Sequence, residues 1–324
     1  MTVLIALALG IALLTAPSSV AWAQQSNPCA NLPAGSFSRM ECERNVRLQQ
    51  PRQDTGGGGE ISPRTSPSPP VPQAQAPGKP AAASPTALAD LEAAVKAYER
   101  GDYAAALRLI KPLAEQGNPT AQGRLAALYE RGHGVPQDYA EAARWYRKAA
   151  EQGDAIGQIN LGALYDTGRG VQKDQEEAAR WYRKAAEQGV AAAQFNLAQY
   201  YRTGSGVPKD EAEAARWYRK AAEQGFMAAQ ETLGLLYEEG RGVQQSDAEA
   251  LAWYRKAAEQ GSPMAQVNLG NLYRKGGKPE EVAEALKWYR RAAEQNYPAG
   301  QHSLAVAYAL GFGVKQDYAE AARW

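Results

Sequence analysis

The stretch WYRKAAEQG stands at residues 145–153 and returns unchanged at 181–189, 217–225 and 253–261. A looser copy, WYRRAAEQN, follows at 288–296, and the chain stops on a sixth tryptophan of the series. Trp145, Trp181, Trp217, Trp253, Trp288 and Trp324 are separated by 36, 36, 36, 35 and 36 residues. Self-similarity at one period of roughly 20 to 50 residues is the signature of a solenoid, whose units cannot bury their apolar faces alone.

Moving outward from the tryptophan, every unit has the same parts. In the unit 154–189, residues 154–165 read as a first helix (helix A), 167–173 as a loop and 174–188 as a second helix (helix B). The loop carries GHGV from Gly132, GRGV from Gly168 and Gly240, GSGV from Gly204 and GFGV from Gly311. The first of these glycines suits a left-handed helix cap, where a side chain meets a steric penalty. Three residues past the valine stands Asp138, Asp174, Asp210, Ser246 or Asp317. Three further on stands Glu141, Glu177, Glu213, Glu249 or Glu320, the pattern of a capping box.

Helix A repeats a leucine, a small residue and a tyrosine. Tyr129, Tyr165, Tyr201, Tyr237 and Tyr273 share one phase, and Gly162, Gly234 and Gly270 share another, with Ala198 in the third copy. A glycine inside a helix costs about 1 kcal/mol relative to alanine. Its return at one phase predicts that two helices approach closely there, with aromatic rings filling the space alongside.

The period divides 87–324 into a degenerate first pair at 87–117, with Leu109 at the tryptophan phase, and units at 118–153, 154–189, 190–225, 226–261 and 262–296. The incomplete last unit is 297–324. In the first pair, Leu88, Leu91, Val95 and Tyr98 give one helix an apolar side, Gly101 breaks it and Asp102 caps the next.

Ahead of the array the composition changes three times. Residues 1–23 read as a secretory signal peptide cleaved after Ala23, with an apolar run over 3–14 and the small-x-small site Ala21-Trp22-Ala23, although no Lys or Arg precedes the run. That run is shorter than the roughly 20 apolar residues a membrane span needs. The segment 24–50 holds Cys29 and Cys42, which in an exported chain most simply form one disulfide; free thiols or a bridge to another chain are the alternatives. Residues 51–86, with four glycines at 56–59 and a Pro/Ser/Ala-rich run after them, read as a disordered linker. The expected location is periplasmic or secreted.

With 36 basic and 35 acidic residues the net charge is +1, which argues against nucleic acid or anionic membrane as the principal partner. Two cysteines and two histidines leave little for a metal or redox centre, so no cofactor is expected. No Ser-x-x-Lys, HExxH, CxxC or phosphate-binding glycine loop occurs, and the GxGV glycines open onto a capped helix, so no catalytic residue is assigned. His133 and His302 read as surface histidines, and the repeated glutamates as caps or as partners of the Arg-Lys pair in WYRK.

The pattern AxxxLGxxYxxGxGVxxDxxEAxxWYxKAAExG, followed nearly throughout by 122–153 and the next three units, resembles the Sel-one-like repeat (SLR) family, relatives of the tetratricopeptide repeats. The resemblance covers about 240 residues, from Ala87 to the end. It implies an all-α fold, a right-handed α-solenoid of antiparallel helix pairs with a concave groove. It also implies a protein- or peptide-binding adaptor of the bacterial envelope. The alternatives are a periplasmic regulator masking a sensor or envelope enzyme and, further off, a cell-wall or β-lactam hydrolase; the secreted relatives given that activity carry cysteines in every repeat, and these repeats carry none.

The sequence departs from the pattern at three places. Lys275-Gly276-Gly277-Lys278-Pro279 replaces GxGV in a unit one residue short, Asn296 replaces the glycine ending helix B, and the chain stops at Trp324 inside helix B. That last departure reads either as a truncation or as an open apolar edge that pairs with itself or a partner.

Positions that recur are explained by packing, so recognition is sought where the units differ. The residue before the recurring leucine is Arg124, Asn160, Asn196, Thr232, Asn268 and Ser303, polar each time. An asparagine ladder on the groove side of helix A could hydrogen-bond an extended peptide backbone. The other reading is an asparagine usual at that place and facing water.

Overall fold

The computed structural model describes residues 85–324. The signal-peptide segment, Cys29, Cys42 and nearly all of the linker lie outside the described residues. Within them stand fourteen α-helices and no strand. The first pair is α1 (Pro85–Glu99) and α2 (Tyr103–Glu115). Units one to three follow as α3 (Pro119–Arg131) with α4 (Tyr139–Glu151), α5 (Ala155–Thr167) with α6 (Gln175–Glu187), and α7 (Ala191–Thr203) with α8 (Glu211–Glu223). Units four to six are α9 (Met227–Glu239) with α10 (Asp247–Glu259), α11 (Pro263–Gly276) with α12 (Pro279–Glu294), and α13 (Pro298–Leu310) with α14 (Tyr318–Arg323). Each helix packs on the one before and the one after, the arrangement of an α-solenoid.

The two helices of a unit are buried differently. In α6 only Ala178, Ala179, Trp181, Tyr182, Ala185 and Ala186 are buried, a single stripe at helical spacing. In α5 every residue from 157 to 164 is buried, because helix A is covered by its own helix B and by the neighbouring units. In the first pair, Leu91 and Tyr98 face inward as expected, but Leu88 is exposed and the alanines Ala94 and Ala97 take the inner places.

Loop chemistry follows the glycines. Gly132, Gly168, Gly204, Gly240 and Gly311 all cap helix A in the left-handed conformation, φ between 68° and 77°. The second glycine of GxGV is also left-handed, and it has a further reason to be glycine. A Cβ on Gly170 would fall into the backbone of Tyr139, one on Gly206 into that of Gln175 and one on Gly242 into that of Glu211. Each loop thus lies directly on the start of the preceding unit's helix B. Asn296, with φ 58°, adopts the left-handed cap expected of it.

The capping box is half formed. Asp138 Oδ1 accepts from the amides of Ala140 and Glu141 at 2.9 Å, and Asp174 and Asp210 accept likewise from Glu177 and Glu213. The glutamates do not reach back, because the cap residue's own N–H already donates to a tyrosine carbonyl of helix A: Asp138 to Tyr129, Asp174 to Tyr165, Asp210 to Tyr201. Freed from that duty, Glu141, Glu177 and Glu213 pair with Arg144, Arg180 and Arg216 one turn on, and Glu213 also accepts from the Trp217 indole at 2.9 Å. The Arg-Lys pair of WYRK, expected to meet glutamates, meets rings instead. Arg147 and Arg183 donate to the hydroxyls of Tyr165 and Tyr201 in the next unit, and Lys148, Lys184, Lys220 and Lys256 lie 3.8 to 4.0 Å over their own tryptophan rings.

The helical glycines mark the close approach anticipated for them. A Cβ on Gly234 would sit 2.6 Å from the ring of Tyr254 and one on Gly270 2.5 Å from that of Tyr289, so helix A opens a slot for the tyrosine of WYRK. Gly162 is looser, with Tyr182 at 3.1 Å, which fits the alanine tolerated at Ala198. In unit five the loop is rebuilt: α11 runs on to Gly276 and α12 begins early, at Pro279.

Candidate recognition face

The six positions before the recurring leucine occupy one phase of α3, α5, α7, α9, α11 and α13. Asn160, Asn196 and Thr232 are buried, while Arg124, Asn268 and Ser303 are half-buried. Thr232 Oγ1 is spent on the Ala228 carbonyl at 2.7 Å, as a threonine in a helix commonly is. Asn160 is only 2 % exposed, and its Nδ2 donates to nothing. A buried amide donor left without an acceptor costs about 1–3 kcal/mol, so this side chain is held in a demanding place. Arg124 lends positive charge to Asp154, whose carboxyl is nonetheless raised, chiefly by burial. Arg124 also lines a cavity of about 10 Å³ with Ala94, Val95, Tyr98 and Ile110, room for a water at most.

Two further polar rows run along helix A, neither of them singled out from the sequence. The first is a glutamine stitch. Gln122, Gln158, Gln194, Gln230 and Gln266 each donate to a carbonyl near the end of the preceding helix B, at 3.0 to 3.2 Å. Each also accepts, at 2.6 to 2.9 Å, from the glutamine that ends its own unit's helix B: Gln152, Gln188, Gln224, Gln260 and Gln295. The signal was in view, since the Q of AAEQG recurs as regularly as the tryptophan.

The second row varies in charge. Tyr146 donates to Glu130 and Tyr254 to Glu238, both at 2.8 Å, and Tyr200 donates to Asp166 at 2.6 Å. At the equivalent place in unit three Arg202 reaches the Tyr218 hydroxyl at 3.3 Å instead. Burial raises the Glu238 carboxyl, against the bond from Tyr254. The tyrosine of helix B thus meets an acid in units one and four and a base in unit three, while Asp166 of unit two is met by Tyr200 from helix A of the next unit.

Of the two histidines, His302 is exposed as expected. His133 is not a free surface residue: it is half-buried, bonds the Tyr98 hydroxyl at 3.0 Å and stacks on Tyr103 with ring centres 3.9 Å apart. Burial, and then the charge of Arg131, lower its pKa. Among the described residues no cluster of three His, Cys, Asp or Glu side chains could hold a metal ion, and no helix is long and apolar enough to cross a membrane.

Six consecutive matches to the Sel1 repeat cover residues 119–154, 155–190, 191–226, 228–262, 263–297 and 298–324, in phase with the helix pairs. Among solved structures, the chain is similar to a Sel1 repeat protein from Oxalobacter formigenes, at 36% identity and a TM-score of 0.63, over 72% of this chain and 94% of that one. It is also similar to c5321, a protective antigen of uropathogenic Escherichia coli strains displaying an SLR fold. There the identity is 35% and the TM-score 0.57, over 74% of this chain and 60% of that one. No curated protein matches.

Proposed function

Because the chain belongs to the Sel1 repeat family, whose members are generally protein–protein interaction scaffolds, we propose that it is a non-enzymatic adaptor of the bacterial envelope. In this reading a peptide or protein partner lies along the helix-A side of the array, in the concave groove that such repeats form. The observation that carries it is Asn160, a buried amide with an unused donor on the row that also holds Asn196 and Asn268. A small turn of that side chain would offer its N–H to a backbone carbonyl of an extended ligand. The variation of a second row, Glu130, Asp166, Arg202 and Glu238, against an unvarying scaffold would add selectivity. The exported, periplasmic setting rests on the amino-terminal sequence.

Affinity capture from a periplasmic extract with the full chain, followed by mass spectrometry, tests the proposal. One or a few partners should be retained by the natural chain. The variant carrying Asn160→Ala, Asn196→Ala and Asn268→Ala should keep its helical circular dichroism and lose them; equal capture by both chains would refute the role of the row.

A further inference from the structure

The junction between units four and five is built unlike its neighbours. Glu231, in α9, stands at the phase filled by Ile159 in unit two, Phe195 in unit three and Val267 in unit five. It is 0 % exposed, and its Oε2 has no hydrogen-bond partner. Its other oxygen accepts from Ser262, itself buried, which also caps α11 through the Ala265 amide at 3.1 Å. The groups that face this carboxyl are Ser262 at the start of α11, Tyr254 from α10 and Tyr297 at the start of α13, and none of the three brings a positive charge.

The same junction lacks the loop contact found at the others. Gly170, Gly206 and Gly242 press on the starts of α4, α6 and α8, and Gly313 on Val282 and Leu286 of α12. At α10 no such glycine is available, since Gly277 is the left-handed cap of α11 and Lys278 stands 36 residues after Gly242. The valine that follows, which packs into the core as Val171, Val207 and Val243 do, is also missing there. What joins the rebuilt loop to α10 is an exposed ion pair, Lys275 Nζ to Asp247 Oδ2 at 2.6 Å. An exposed pair contributes about 0–1 kcal/mol. The bonds from Gln266 to the Ala258 carbonyl and from Arg255 to Tyr273 still cross between the units and would serve as the pivot.

We infer that this junction is a proton-operated hinge: neutral Glu231 lets units four and five close on each other, and its ionisation opens them. A carboxylate with one orphan oxygen and no cation beside it is far better solvated in the open form, and the missing loop contact removes one restraint the other junctions have, leaving the shared core around Trp253, Leu269 and Leu272 to oppose opening. Burial also lifts the Glu231 carboxyl to about 7, which sets the switch near neutral pH.

Hydrogen–deuterium exchange on the full chain at about pH 5.5 and about pH 8.5, corrected for intrinsic rates, reads the opening directly. The amides of α9 and of the first turns of α11 should lose protection by at least about tenfold at the higher pH, given a carboxyl that ionises more readily in the open form. Those of α5 and α7, with Ile159 and Phe195 at the same phase, should not. Glu231→Gln should abolish the difference, and Glu231→Val, copying Val267, should hold the junction closed at both values. A pH-independent α9 in the natural chain, or the same pH dependence in Glu231→Gln, would overturn the inference.

Discussion

The tryptophan that recurs in helix B of units one to five packs in or against the core, and its value depends on how deeply it is seated. Trp217 and Trp253 are 9 % and 6 % exposed, whereas Trp145 is only half-buried. Trp217→Ala should therefore lower unfolding free energy by about 3–5 kcal/mol in denaturant titration, and Trp145→Ala by visibly less. Glu231 gives a second expectation, with a definite sign. Its folded pKa, about 7, is above that of an unfolded glutamate, so its stabilising balance is complete below the unfolded value of 4.5 and is lost as pH rises towards 7. Stability should fall by roughly 3 kcal/mol over that window, and Glu231→Gln should flatten the melting temperature against pH. The tryptophans and glycines could be read from the sequence because they repeat. Glu231 was visible there as one letter among many, and only its place opposite Ser262, inside the array, makes it costly.

At the scale of the helix and its loop, two glycines of the same conformation carry different loads. Gly168→Ala meets the left-handed penalty, about 1–2 kcal/mol. Gly170→Ala meets that penalty and the backbone of Tyr139 as well, so its loss should exceed the other's in the same denaturation experiment. Gln194→Ala removes a donor from the Ala186 carbonyl and an acceptor from Gln224, both in buried or half-buried settings. It should cost about 1–3 kcal/mol by thermal melting. Helix bounds and caps were legible to within a residue or two, since glycine and aspartate mark them locally. The partner of the cap's own N–H was not, because the Tyr129 carbonyl that takes it lies across the turn and looks like any other backbone group.

For the molecule as a whole, a regular scaffold carries a small number of irregular residues, and the proposed binding role rests on those. The phase of the Asn160 row was legible from the repeat, but its burial was not: the sequence offered a groove-side ladder or asparagines facing water, and the covering helices leave Asn160, Asn196 and Thr232 inside. The triple asparagine variant thus asks a question about recognition only if its helical content is intact.

Each junction also matches one residue of helix A with the residue that opens the next unit. Gly123 leaves room for Asp154; Ile159 shares a cluster with Val190, and Val267 with Tyr297; Phe195 meets Phe226 at 5.2 Å; Glu231 receives Ser262. These matched pairs act as address labels on units that are otherwise almost interchangeable. Excising residues 226–261 would set the Phe195 ring against a serine hydroxyl, and duplicating them would press one Glu231 carboxyl onto Phe226. A gene built of near-copies invites both accidents, and this chain would register each of them as a misaddressed joint.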